Sequence, residues 1–376
     1  MDTAGKSPNR KFASKLLVFL AASLFWLYPV AGSCGEFRYT DLHPAGWISS
    51  AALCVNDAGE VAGYGMTVAG ERGFVWAEGT FREILPPGAD SAKAIWINGQ
   101  GEVAGTGYAG GVPHAFLLRD GAYLDPTPGW GWSEATYVGE DGAVAGTGEF
   151  GAYISRGGVT EIFPGFSSVA MGNSSGQWVG SYGASSLLYL PGQGYLDVTP
   201  PGATASAPRG INESGLVAVV ALGTGTTRGY VKSGEFYIDM TPSGWSSSRA
   251  TAINDCNAVA GYGDSATGRR SFLRTGGTTE EIAFPGWQST EAVSLNNAGR
   301  LAGSGATADG EPHAFLASPA DPSASGSPAS AASPGSAGGC SLAAGSGTKD
   351  SSSVPLAIAL WMLSLLLIRR PGGRIR

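Results

Sequence analysis

One short phrase recurs seven times along this chain and restricts its fold more than any other feature: an apolar stretch, then Asn-x-x-Gly, an apolar residue, and Gly again. It stands at 55–63 as Val-Asn-Asp-Ala-Gly-Glu-Val-Ala-Gly and returns at 97–105, 138–146, 172–180, 211–219, 253–261 and 295–303. Taken at the Asn position (56, 98, 139, 173, 212, 254 and 296, with Gly at 139), the spacings are 42, 41, 34, 39, 42 and 42 residues. A period of about 40 to 45 residues built from short strands is the length of one four-stranded propeller blade. The repeat therefore predicts an all-β chain, a seven-bladed β-propeller over 36–317.

Each unit reads as four antiparallel strands. In the second, Ala94 to Ile97 leads into the turn at Asn98, Glu102 to Gly107 returns, His114 to Leu118 follows a variable loop, and Ala122 to Asp125 follows a tight turn. Turn residues between short β-branched and aromatic runs mark hairpins, and no stretch of the body keeps helical periodicity over ten residues. Asn56, Asn98, Asn173, Asn212, Asn254 and Asn296 are expected as structural turn residues, since an Asn side chain can bond the backbone just beyond it. A linking phrase also repeats, with Trp47, Trp130, Phe166, Trp245 and Trp287 in it, at the passage from one unit to the next.

The ends of the repeat region decide how it closes. The segment Phe37 to Leu42 matches the fourth strand of a unit, whereas the last unit stops after its third strand at Leu316. An N-terminal strand that completes the last blade removes an open sheet edge, which would otherwise invite aggregation.

His114-Ala115-Phe116 and His313-Ala314-Phe315, in register with the Asn phrase, resemble the HAF-repeat family of probable extracellular repeat proteins. Degenerate copies stand at Arg72-Gly73-Phe74, Arg228-Gly229-Tyr230 and Arg270-Ser271-Phe272, while the third and fourth units depart from the pattern. The resemblance implies an exported repeat protein and carries no activity to particular residues.

Outside the repeats, Lys6, Arg10, Lys11 and Lys15 precede an apolar run from Leu16 to Val30, the pattern of a secretory signal peptide over 1–33. Cleavage after Ser33 would leave Cys34 first, as lipoprotein processing does, but Ala31 stands where Leu is usual, so plain cleavage near Gly32 or Ser33 is the favoured reading. Residues 318–353 are an Ala/Ser/Gly/Pro-rich linker of the kind that stays a flexible tether. The apolar segment 354–368 follows, then a basic tail at 369–376. Fifteen helical residues cover about 22 Å, short of the ~30 Å hydrocarbon core, so the segment is expected to meet the membrane at least transiently, with the arginines inside. The tail resembles bacterial C-terminal sorting signals of the Gly-Gly-Cys class, with processing at Gly339 or Cys340; a permanent weak anchor is the alternative. The expected location is the cell surface or outer membrane, or outside the cell after processing.

Nine of the 23 basic residues lie outside 34–340, against two of the 30 acidic ones, so the stretch between holds 14 basic and 28 acidic residues and a formal charge of −14. Nucleic acid is a poor partner for such a surface. Cys54 and Cys256 lie in the first and sixth units, too far apart round a ring for the ~4.4 to 6.8 Å between Cα atoms that a bridge needs, so both are expected as thiols.

The search for chemistry yields little. No nucleophile elbow, zinc spacing or phosphate loop is present. The three histidines read as polar residues rather than metal ligands, and the acids after the turn Asn (Asp57, Glu213, Asp255) lack the spacing of a calcium loop. No catalytic residue, metal or cofactor is expected. Trp47, Trp130, Trp132, Trp245 and Trp287 recur at one blade position and are the candidate binding residues, for carbohydrate or a surface protein, although packing between neighbouring blades is the favoured reading of their rings. The chain thus reads as an exported binding module without enzymatic activity, with a propeller enzyme on an extracellular substrate or a structural surface component as alternatives. Carboxylates or His from several units converging on the channel would favour the enzyme, and a bare channel with exposed tryptophans on one face would favour binding.

Overall fold

A computed structural model describes residues 37–223 and 225–320. The expected signal peptide, the apolar C-terminal segment and the processing candidates Cys34, Gly339 and Cys340 lie outside them, as does the expected linker from 321 onward; its first residues, Ser318 and Pro319, belong instead to the last strand, where they pair with Arg38 and Phe37. Among the described residues, twenty-eight strands form seven four-stranded antiparallel sheets. Six sheets take their strands in sequence order, and the seventh joins Phe37–Asp41 to the last three strands. This is the seven-bladed propeller that the repeat predicts, closed as the strand count requires: Phe37 pairs with Pro319, Tyr39 with Ala317 and Asp41 with Phe315. Leu42 is fully buried behind the closing strand, and its N–H donates to Ala314 O at 2.9 Å.

In blade 2 the strands are Ser91–Ile97, Val103–Ala109, Val112–Arg119 and Ala122–Leu124. The presumed variable loop is only Gly110-Gly111, with φ of +57° and +82°, the pair of left-handed positions that a tight two-residue hairpin turn demands. The first strand of each blade is innermost and touches the first strands of both neighbours, closing a ring around the channel. Apolar side chains meet between blades. Cys54, Ala62 and Ile84 of blade 1 pack with Ala92, Val103 and Phe116 of blade 2, so the core is seven wedges rather than one centre.

Every first strand carries a bulge, three residues before the turn position: Leu53, Ile95, Thr136, Ala170, Arg209, Thr251 and Val293. The bulge explains the second Gly of the repeated phrase. A Cβ on Gly63 would run into the carbonyl oxygen of Ala51 on the bulged strand and lie 2.7 Å from Phe74 Cζ. Gly105, Gly146, Gly180, Gly261 and Gly303 meet the equivalent carbonyls. The close approach is within the blade, between its first three strands.

The turn Asn does more than close its hairpin. Its Oδ1 accepts the backbone N–H four residues on (Glu60 to Asn56, Glu102 to Asn98, Ala258 to Asn254, each 2.9 Å), and its Nδ2 donates to the backbone carbonyl of the same turn in the next blade. These donations run Asn56 to Asn98, Asn98 to Gly139, Asn173 to Asn212, Asn212 to Asn254, Asn254 to Asn296 and Asn296 back to Asn56, at 2.8 to 3.0 Å. One link is missing, from Gly139 to Asn173, because Gly139 has no side chain to give it. A Cβ there would lie 2.7 Å from Asp141 Oδ1, the tip of an exposed side chain. Gly139→Asn is therefore expected to complete the belt and to raise stability by about 1 kcal/mol, a melting shift of a few degrees. A lower melting temperature in calorimetry would show that the seventh link cannot form.

Candidate functional site: the channel and its mouth

Because the first strands ring the channel, residues at one register position of them form a layer. The layer five residues before the turn Asn is Ala51, Lys93, Glu134, Ser168, Ala207, Arg249 and Glu291. Four charges, alternating in sign, thus stand on blades 2, 3, 6 and 7, each on the innermost strand, and Glu134 is exposed there. Neighbouring blades supply partners. Lys93 Nζ lies 3.4 Å from Glu71 and 4.5 Å from the centre of the Tyr64 ring, and the Tyr108 hydroxyl donates to Glu134 at 3.5 Å.

On the other side Arg269 bridges blades 6 and 7, bonding Asp264 and Glu291 at 3.0 Å each. Ser247 Oγ donates to Asp264 at 2.6 Å. This hydrogen bond, with that from Arg269, holds the Asp264 carboxyl below the usual carboxylate range. The Tyr262 ring lies beneath both Arg249 (5.4 Å) and Arg269 (6.0 Å), and its phenol is pushed up by burial and then by Glu291. One step deeper, at the bulge layer, Arg209 is exposed while the other six bulge residues are half-buried and neutral. Bulges re-aim side chains, and of the seven bulge residues only Arg209 is exposed.

The tryptophan positions lie at the end of the disc where first strands begin. Trp47, Trp130, Trp245 and Trp287 are half-buried, each edge-on to the third-strand aromatic of its own blade: Phe74, Tyr153, Phe272 and Phe315, at 5.9, 5.4, 5.9 and 6.2 Å. They also cover second-strand glycines; a Cβ on Gly148 would lie 2.6 Å from Trp130. Trp132 alone of the five is exposed (39%), with Phe150 (60%) and Tyr182 (64%) at the same end. At the opposite end, Asp57, Glu213 and Asp255 accept backbone N–H groups from the turn of the preceding blade. Asn212 is buried with its Nδ2 engaged by the Asn254 carbonyl. Among the described residues no group of three or more His, Cys, Asp or Glu is placed to hold a metal ion.

Closure brings two histidines together that the sequence leaves 270 positions apart (43 and 313). Their rings stack at 3.9 Å, His43 bonds Ser50 and the Trp47 carbonyl, and His313 Nδ1 lies 2.8 Å from Asp41. His114, at the equivalent place in blade 2, is exposed. Burial, then the neighbouring His313, lowers the pKa of His43 below the ordinary 6.5; Asp41 and Glu311 oppose this. The folded state thus binds the proton less readily than the unfolded chain, so its stability declines as pH falls below about 6.5. His43→Gln is expected to flatten that decline in melting temperature between about pH 6.5 and 5; an unchanged slope would assign it to other groups.

Cys54 is a buried free thiol, its pKa pushed up to about 12 by burial, but Cys256 is disulfide-bonded. The expectation of two thiols is corrected at Cys256: ring geometry argues only against a bond to Cys54.

The layer of Lys93, Glu134, Arg249 and Glu291 escaped the sequence search. Its signal lay in the aligned units, as charges five residues before the Asn in a strand otherwise apolar or small.

No family model and no curated protein matches the sequence. Solved structures do. A streptogramin B lyase structure matches at 13% identity over 74% of this chain and 97% of that one, TM-score 0.50. Virginiamycin B lyase from Staphylococcus aureus matches at 14% identity over 75% and 99%, TM-score 0.52. YCF48 bound to D1 peptide matches at 13% identity over 78% and 98%, TM-score 0.47. The likeness is one of fold, and it corrects one expectation: the chain cannot be set aside as a non-enzyme for want of a motif. Lyases stand on this fold, and a site assembled from one register position in several blades leaves no contiguous motif to find.

Proposed function

We propose that this chain is an exported propeller that takes a small extracellular molecule into the channel mouth and acts on it chemically. The observation that carries the reading is the layer of Lys93, Glu134, Arg249 and Glu291, charged groups from four blades on the innermost strands. The two lyases of similar fold support it. Export rests on the signal-like segment 1–33 and on the resemblance to HAF repeats. Carboxylates on the inner strands, Glu291 bonded to Arg269 and Glu134 to the Tyr108 hydroxyl, suit general acid or base work.

The test is a panel of exported small molecules incubated with the purified chain and followed by mass spectrometry. Conversion of a panel member that falls at least tenfold in the Glu134→Gln, Glu291→Gln double variant, with melting unchanged, supports the reading. Conversion indifferent to both substitutions contradicts it. A second reading, a binding surface for carbohydrate or a surface protein, rests on the exposed aromatics Trp132, Phe150 and Tyr182 at one end of the disc.

A further inference from the structure

The channel wall is not evenly charged. On blades 5 and 6 three guanidinium groups, Arg209, Arg249 and Arg269, all act on the Tyr262 phenol, and the latter two lie over its ring. Gly210, next to Arg209, packs against Ala252 and Ile253 of the following first strand, and Arg249 stands two residues before the bulge residue Thr251 of that strand. Both carboxylates of the group, Asp264 and Glu291, are bound by Arg269. No carboxylate lies within ion-pair distance of Arg209 or Arg249 among the described residues. Arg249 leans on the Tyr262 ring and Arg209 is exposed. In a body that carries −14, two guanidinium groups on adjacent inner strands, neither in an ion pair, form a cationic spot.

From this placement we infer that Arg209 and Arg249 form an oxyanion-binding subsite of the channel, one that takes a carboxylate or phosphate group of the ligand. The guanidinium fork presents paired N–H donors that match either group. The inner end of the pair, Arg209, sits at the bulge layer, so a ligand held there enters from the tryptophan end and leaves its remainder beside Glu134 and Glu291. The inference rests on the channel reading above and narrows its substrate to anionic molecules.

Titration calorimetry on the full chain with malonate and with inorganic phosphate, at ionic strength held constant with chloride, tests it. Saturable binding of at least one is expected, weakened about tenfold or more by Arg209→Gln and by Arg249→Gln. The tighter of the two probes identifies the group as carboxylate or phosphate. Arg156→Gln, which removes the same charge at an exposed arginine paired with Asp141, should bind as the wild type does. Melting curves confirm that each variant is folded. Absence of saturable binding of both anions, or binding indifferent to Arg209→Gln and Arg249→Gln, overturns the subsite. Panel conversion lost in the Glu134/Glu291 variant but unchanged in Arg209→Gln sinks the subsite and leaves the channel reading standing; conversion unchanged in both sinks the two together.

Discussion

Deleting residues 36–42 should be the most damaging small change to this protein, lowering the melting temperature by ten degrees or more or driving the chain into aggregates. The deletion takes away a whole strand of the last blade, the buried Leu42, and Tyr39, whose ring lies 4.5 Å from Phe284. Burial of two such side chains is worth about 4 kcal/mol by area, before the lost strand pairing is counted. Removal also bares the edge of Pro312–Pro319, eight residues that include the buried Ala314 to Ala317, and an exposed apolar edge recruits other chains. Calorimetry with light scattering reads both effects. A truncated protein that melts like the parent and stays monomeric would mean that the ring is not held by this strand.

Gly63→Val comes second, with an expected loss of about 3 kcal/mol or more and a melting temperature lower by roughly six degrees or more. The added Cβ has nowhere to go: Ala51 O stands on one side and the fully buried Phe74 ring on the other, and the obstacle is backbone and core rather than a movable side-chain tip. Gly223→Val is the matched control, since the nearest atom to its Cβ is Thr226 O at 3.7 Å. Equal melting of the two variants would show that the bulged strand yields more easily than its geometry implies.

Both results follow from features that the sequence carries openly. A sevenfold phrase fixes the blade count because each copy needs a sheet partner of its own kind. The orphan strand at one end and the missing strand at the other fix the closure. Pairings between blades are harder to read. The Asn side chains were legible as turn formers, but their second bond crosses to a carbonyl about 40 positions away, and only the ring brings donor and acceptor together. Gly139 reads as a mere departure from the pattern until the belt shows that it is the one position with no donor to give.

The tryptophans show the limit from the other side. Recurrence at one blade position says that Trp47, Trp130, Trp245 and Trp287 share a place, not whether that place faces solvent. Their contacts with Phe74, Tyr153, Phe272 and Phe315 decide for half-burial. The channel charges were visible in the aligned units but carried no meaning until the first strand proved innermost. The bulge at Arg209 is a matter of strand pairing and has no sequence signature.

The central claim, that the ligand is handled by the channel rather than by the aromatic face, meets its most direct test in one paired assay. Conversion of a panel substrate is measured for Glu134→Gln, Glu291→Gln and, side by side, for Trp132→Ala, Phe150→Ala, two exposed residues at the tryptophan end. The channel pair should lose at least tenfold in kcat/KM while the face pair stays within about twofold of the parent, differences of more than ~1.4 and less than ~0.5 kcal/mol in transition-state binding. The opposite pattern, with activity lost in the face pair and kept in the channel pair, would contradict the account.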